Sequence, residues 1–357
     1  MTTFESLVGH AQLAARLAGA AAREELNHAI LLSGPDSVGK TTTALALAEY
    51  LLDARAWPGG LIAHPDLWVE DSDAEWLSID RVRAGSRAAG PSVQDFLALR
   101  PYAGGRRVAV IARADRLTEP ASNCLLKTLE EPPPRTHLFL CAAHPDRLPA
   151  TILSRCETVT LAPVAASTIV TWLRGMPGVD GEAATTAAAL SAGRPGRALR
   201  LAIDQSALHN EVDALNGFLS IGGTGTAGAL RAAAALSPAA GVEGRERAIV
   251  ILSAWASFVR DASCFAAGAP ELAIWSSYRG ALERWAEALP AARIVEILGR
   301  IADAADGVAT NVQPRLAFET LLLDIFAGAS SPPAVDVPRR GTGDDAPRSR
   351  PRRAART

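Results

Sequence analysis

Gly34-Pro35-Asp36-Ser37-Val38-Gly39-Lys40-Thr41 is the stretch that most narrows what this chain can fold into. It matches GxxxxGK followed by Ser or Thr at every fixed position. The apolar run Ala29–Ser33 precedes it and a helical segment from Lys40 follows, the strand–loop–helix setting that gives such a motif its meaning. Glycines let the backbone bend until successive N–H groups point inward, and a helix N-terminus adds partial positive charge, so the loop is built for phosphate. Gly34, Ser37, Val38, Gly39, Lys40, Thr41 and Thr42 are the candidate phosphate-binding residues. Lys40 reaches the terminal phosphates, and the Thr41 hydroxyl takes Mg²⁺ if nucleotide binds. Basic residues are otherwise almost all Arg: the only lysines are Lys40 and Lys127.

The surrounding pattern up to Pro163 alternates short apolar runs with helical segments, which reads as α/β with a parallel sheet. Strands are expected at Ala29–Ser33, Leu67–Glu70, Val108–Ala112, His137–Cys141 and Val159–Leu161, each apolar enough to be covered on both faces. Helices are expected at Lys40–Leu52, Ile79–Ala89 and Pro120–Glu130, the last ended by the prolines at 132–134. The whole divides into an α/β phosphate-loop domain (1–163), a small helical lid (164–204) and an all-α domain (205–328). The tail at 329–357, with seven Arg against three Asp, reads as disordered and basic.

Hydrolysis needs more than a loop. An Asp at the end of a later strand holds the Mg²⁺ shell, and a following Glu polarises the attacking water. The strand Val108–Ala112 ends instead in Ala112-Arg113. Alanine ligates nothing, and an arginine cannot serve as a base. Asp115 lies three residues past Ala112 and is a poor substitute. These residues predict nucleotide binding with little or no turnover.

Other segments carry a family resemblance. Phe4–His10, His28–Pro35, the run Ala121–Pro133 ending in LLKTLEEPP, Leu153-Ser154-Arg155-Cys156 and Asn311–Glu319 together resemble bacterial clamp-loader subunits of the AAA+ family. The resemblance implies a P-loop AAA+ domain, a lid and a C-terminal helical collar that oligomerises. It places Val8 and Gly9 near the adenine and makes Arg155 an arginine finger acting on an adjacent subunit's ATP. Ala142-Ala143 stand where a motor subunit has a polar sensor, and Gly196 stands where its lid has an arginine, with Arg197 nearby. The SRC motif is absent from the delta type. The remaining likeness is to the delta-prime, or stator, type, a component of the DNA polymerase III holoenzyme. The implied partners are gamma/tau and delta subunits, the sliding clamp, and primed DNA through the assembled hetero-oligomer. The implied cofactor is ATP or ADP with Mg²⁺. Unlike many such members, this chain has no cysteines between the loop and the next strand, so no zinc is expected. The alternative is a self-sufficient, ATP-hydrolysing motor of the gamma/tau type.

Several residues have simpler readings. Lys127 and Glu130-Glu131 read as a locked helix terminus, His64 and Asp66 as a strand entry, and Arg106-Arg107 as a solvated turn. Trp255, Trp275 and Trp285 read as core. The four cysteines, at 124, 141, 156 and 264, form no CxxC pair, and the net charge of −2 argues against binding DNA through the overall field. The first ten residues lack the pattern of a secretory signal. The most apolar stretch, Ala248–Val259, reads as too short to cross a membrane, so a cytoplasmic location is expected.

Overall fold

The computed structural model describes residues 7–72, 74–85, 90–103, 105–310, 312–328 and 331–335. The basic tail therefore lies outside the described residues except for its short piece 331–335. The chain divides into two compact units, with the boundary after Asn210.

In the first unit the elements run α1 (Ala11–Ala22), β1 (Ala29–Ser33), α2 (Lys40–Leu51), β2 (Leu67–Glu70), α3 (Val93–Ala98), β3 (Arg107–Ile111), α4 (Glu119–Glu130), β4 (Thr136–Ala142), α5 (Ala150–Leu153) and β5 (Glu157–Thr160). Three further helices follow: α6 (Ala166–Arg174), α7 (Gly181–Leu190) and α8 (Pro195–Ile203). The strands form one parallel sheet in the order β2-β3-β4-β1-β5. Its alternating side chains build two cores. Leu31, Ala109, Ile111 and Leu140 pack with residues of α3, α4 and α5 on one face. Ile30, Leu32, Val110 and Phe139 pack with α1 and α2 on the other. Helices α6 to α8 pack on one another.

Strands β1, β3 and β4 are buried along their whole length, as continuous apolar runs require. The two edge strands depart from that expectation. Along β2 buried and half-buried residues alternate, and in β5 only Val159 is buried, because each edge has a neighbour on one side alone. The helix expected at Ile79–Ala89 is also not formed over 79–85, and residues 86–89 lie outside the described residues. Ile79–Arg81 is a single 3-10 turn, and the α-helix begins later, at Val93. Gly85 has φ +73°, outside helical space, and the side chains of Gln94 and Asp95 reach back to accept the N–H groups of Ala84 and Gly85.

Arg107 is a further correction. It is not in a solvated turn but is the first residue of β3, with only 6% of its surface exposed. Its guanidinium pairs with Asp66 at 3.3 Å, donates to the carbonyls of Phe96 and Arg100, and lies 4.5 Å over the Phe96 ring. Asp66 also accepts the N–H groups of Tyr102 and Ala103, and its own N–H donates to His64 Nδ1. His64 and Asp66 thus act at the strand entry, as their sequence reading held.

The second unit is helical: the greater part of α9 (Gln205–Leu219), then α10 (Gly225–Leu236), α11 (Val242–Ala266), α12 (Arg279–Ala288), α13 (Ala291–Ala309) and α14 (Pro314–Phe326). Its centre is aromatic. Phe218 stacks on Trp255 at 4.6 Å, with Trp285, Phe326, Phe318 and Phe258 around them. Trp255, Trp275 and Trp285 are all fully buried, as expected of core residues. Helix α11 extends well beyond the apolar stretch from which a short segment was read, and its Glu243–Ala266 portion is long and apolar enough to cross a membrane by length and composition. It instead packs against α12 and α13, with Leu252, Trp255, Phe258, Val259 and Asp261 buried, as a core helix does.

Candidate nucleotide site

The phosphate loop leaves the carboxyl end of β1, and its backbone accounts for its glycines. Gly34 has φ +142°, and a Cβ there would sit 2.4 Å from the Leu161 carbonyl oxygen. Gly39, at φ +114°, caps the N-terminus of α2. Between them Ser37 takes φ +62°, while Val38 is buried and donates its N–H to the Pro35 carbonyl. Lys40 is 6% exposed, and its ammonium donates to the carbonyls of Gly34 and Pro35 at 2.7 and 2.9 Å, with the Asp36 carboxylate 3.7 Å away. Thr41 and Thr42 lie half-buried in the first turn of α2. Burial pushes the pKa of the nearby Cys141 thiol up to about 12, against the effects of Lys40 and Thr41. That shift leaves Cys141 a packing residue, not a nucleophile. Bent glycine backbone, a buried lysine and the start of a twelve-residue helix fit a polyphosphate.

The N-terminal segment reaches the same loop. His10 lies beside the Val38 backbone, and burial holds its pKa below the ordinary histidine value, against the effect of that backbone. Val8 and Gly9, with Leu7, line an open cavity of about 540 Å³ whose other wall is Ser167, Thr168, Thr171 and Trp172 of α6. Gly9 has φ +75°, and a Cβ there would meet Val164 at 2.3 Å, so only glycine admits this approach. From the far side α8 touches the loop: the Gly196 N–H donates to the Ser37 carbonyl at 2.9 Å, and Arg200 Nη2 donates to Ser37 Oγ at 3.1 Å. Arg200 escaped the sequence reading. Its signal is the four-residue spacing from Gly196, which puts both on one helix face.

The ends of β3 and β4 carry no catalytic carboxylate. Ala112 is buried, with its N–H bonded to the Glu70 carbonyl. Arg113 turns away, donating to the Ser72 carbonyl at 3.1 Å and lying 3.9 Å from the Asp71 carboxylate. Asp115 accepts the N–H groups of Ala143 and His144 at 3.1 and 3.0 Å, which makes it a cap for the β4 exit. Ala142, level with Ser33 in the register, offers only its carbonyl, which accepts the Gly34 N–H. Among the described residues no group of three His, Cys, Asp or Glu could hold a metal ion.

Arg155 stands elsewhere. It follows α5 and precedes β5, whose register sets Glu157 beside Ile30 and Thr160 beside Ser33. Ser33, which leads into the loop, lies level with Thr160 at the far end of β5, so Arg155 stands beyond the opposite end of that four-residue strand, whose three steps alone cover roughly 10 Å. Its guanidinium pairs with Glu130 at 2.6 Å and donates to the Thr151 carbonyl and Ser154 Oγ. The acidic end of LLKTLEEPP thus meets the SRC motif, a contact between segments 25 residues apart that no local pattern announces. Lys127 is exposed. Burial pushes the Cys156 thiol up to about 11, which fits a packing role.

A parallel sheet ordered β2-β3-β4-β1-β5, with a phosphate loop after an inner strand and three helices after the last strand, defines a P-loop α/β fold. Residues 9–165 match the family described as DNA polymerase III, delta subunit. Subunit delta' of DNA polymerase III from Escherichia coli K12 is 35% identical over 191 residues, covering 49% of this chain and 54% of that protein. The Pseudomonas aeruginosa delta' subunit is 35% identical over 194 residues, covering 50% and 57%. The chain thus spans little more than half the length of these relatives. A solved Thermotoga maritima protein, related to the DNA polymerase III gamma subunit, covers 86% of this chain and 97% of its own at 18% identity, with a TM-score of 0.40. Across its phosphate-loop domain this chain is delta-prime-like.

Proposed function

We propose that this chain is a stator subunit of a bacterial DNA polymerase III clamp loader. It binds ATP or ADP with Mg²⁺ weakly held through Thr41, hydrolyses little or none itself, and supplies Arg155 to a neighbouring gamma/tau subunit's ATP. In this reading residues 164–204 are the lid and 205–328 the collar, through which the chain joins gamma/tau and delta subunits to open the sliding clamp and place it on primed DNA. The observation that carries the proposal is the division of labour within the sheet. The loop is complete, its neighbouring strand ends lack both carboxylates, and Arg155 stands before the end of β5 opposite the loop, paired with Glu130. A guanidinium suits the trans role because it is always charged and offers several donors to a transferring phosphoryl group.

The test is ATP turnover by the reconstituted loader with clamp and primed DNA, comparing wild type with Arg155→Ala after size-exclusion confirms both rings. The expected loss is about 10³-fold or more. An unchanged rate removes Arg155 from the mechanism, and failure of the wild-type chain to enter the ring overturns the whole assignment. The intact loop favours a second reading, a self-sufficient gamma/tau-like motor. That reading predicts steady turnover by the isolated chain, abolished by Lys40→Ala.

A further inference from the structure

Helix α8 lies so close to the phosphate loop that a side chain at its contact point would be tightly packed. A Cβ on Gly196 would fall 3.2 Å from the Ser37 carbonyl oxygen and 3.3 Å from Ser37 Cβ, so the absence of a side chain lets the Gly196 N–H reach that oxygen at 2.9 Å. One turn further on, the same helix face presents Arg200. The three arginines around this helix are sorted by their surroundings. Arg194 donates Nε back to the Ser191 carbonyl, Arg197 is 5% exposed, and Arg200 is exposed and reaches the loop at Ser37 Oγ.

Ser37 is a neutral acceptor. A hydrogen bond from a guanidinium to a hydroxyl is weaker than one to an anionic oxygen, and a guanidinium carries five donors in a rigid fork. The loop's own cation, Lys40, is already drawn onto two carbonyls with a carboxylate nearby. Arg200 is exposed, so its movement from Ser37 to a phosphate oxygen requires no repacking. We infer that Arg200 is a phosphate-binding residue of the lid: it rests on the Ser37 hydroxyl of the phosphate loop and, when a nucleoside di- or triphosphate binds, donates to its polyphosphate. This rests on the nucleotide-binding part of the function proposed above, and it gives the lid a ligand contact at a helical position other than Gly196 or Arg197.

The experiment is equilibrium binding of MgADP and MgATP to the full chain by calorimetry, for wild type, Arg200→Lys, Arg200→Ala and Arg200→Glu. Melting temperatures without nucleotide establish that each variant is folded. Affinity is expected to follow charge: Arg200→Lys stays near wild type, Arg200→Ala binds about 10-fold more weakly, and Arg200→Glu more weakly still. The gap between wild type and Arg200→Ala should narrow between about 50 and 500 mM salt, because an exposed charge–phosphate contact is screened. A loss that is the same for Ala and Glu and insensitive to salt would mean that Arg200 only fastens the lid to Ser37, and it overturns the inference. Unchanged affinity in all variants overturns it while leaving nucleotide binding intact. A wild-type chain that binds neither nucleotide removes the nucleotide reading itself, and Arg200's role with it.

Discussion

At the carboxyl end of β1 the chain keeps a full phosphate loop with a buried lysine, whereas the ends of β4 and β3, next in the same sheet, carry Ala142, Ala143, Ala112 and Arg113. The contrast separates two physical demands. Holding phosphate takes backbone geometry, a helix N-terminus and one cation, all supplied by a single contiguous stretch. Breaking the phosphate bond takes carboxylates delivered from other strands, and here those positions hold a methyl group and a guanidinium that folds toward Asp71 and Ser72. The other end of the sheet carries Arg155, paired with Glu130 at 2.6 Å, the residue proposed to act on a neighbour's nucleotide.

The contrast can be broken most forcefully at Arg155. The thousandfold loss of ring turnover expected from Arg155→Ala should leave nucleotide binding by the isolated chain unchanged, so the two ends would be shown to work independently. Next in size is Lys40→Ala, which should weaken MgADP binding about 10²-fold by calorimetry, the worth of one well-placed charged donor. Binding equal to wild type would mean that the loop holds no phosphate. Asp115→Asn sharpens the comparison from the hydrolytic side. As a cap for the Ala143 and His144 N–H groups, Asp115 should cost about 1–2 kcal/mol in chemical denaturation when neutralised, with no change in nucleotide affinity. A loss of ATP turnover without loss of stability would instead make it a catalytic carboxylate.

The smallest effect belongs to the Arg155 end and concerns pH. Burial holds the His137 pKa below its ordinary value, against a hydrogen bond to the Asn27 carbonyl and in the same sense as the nearby charges of Arg106 and His28. The folded state therefore takes up a proton at lower pH than the unfolded chain does. Stability should be flat above about pH 6.5 and fall as pH drops below it. The melting temperature should fall by about a few degrees between pH 7 and 5.5. His137→Gln should flatten part of that slope, the rest belonging to His10 and His64, which are shifted the same way by burial. A slope identical to wild type would place the titration elsewhere.

Periodicity and composition located β1 and β2 to the residue and placed β3, β4 and β5 within two residues at each end, because a strand inside a parallel sheet leaves a run of apolar residues that no loop tolerates. The loop was equally legible, since all its parts are adjacent in the chain. The segment after Ile79 was not: its residues have helical spacing, but Gly85 turns the backbone and Gln94 and Asp95 satisfy it from ten residues away. Arg107 misled for the same reason. Beside Arg106 it resembles a surface pair, and only Asp66, 41 positions earlier, makes its burial affordable.

The amino-acid sequence by itself determined the strand–loop–helix suited to phosphate, the absence of two carboxylates and the presence of Arg155, since each is a matter of which residue stands at which place in a local element. Tertiary structure alone decided that Glu130 holds Arg155, that Asp115 caps β4, that α8 rests on Ser37 and that Arg200 reaches the loop. These are hydrogen bonds and ion pairs between residues far apart in the chain. Their partners are chosen by sheet order and helix packing, which no single stretch of sequence encodes.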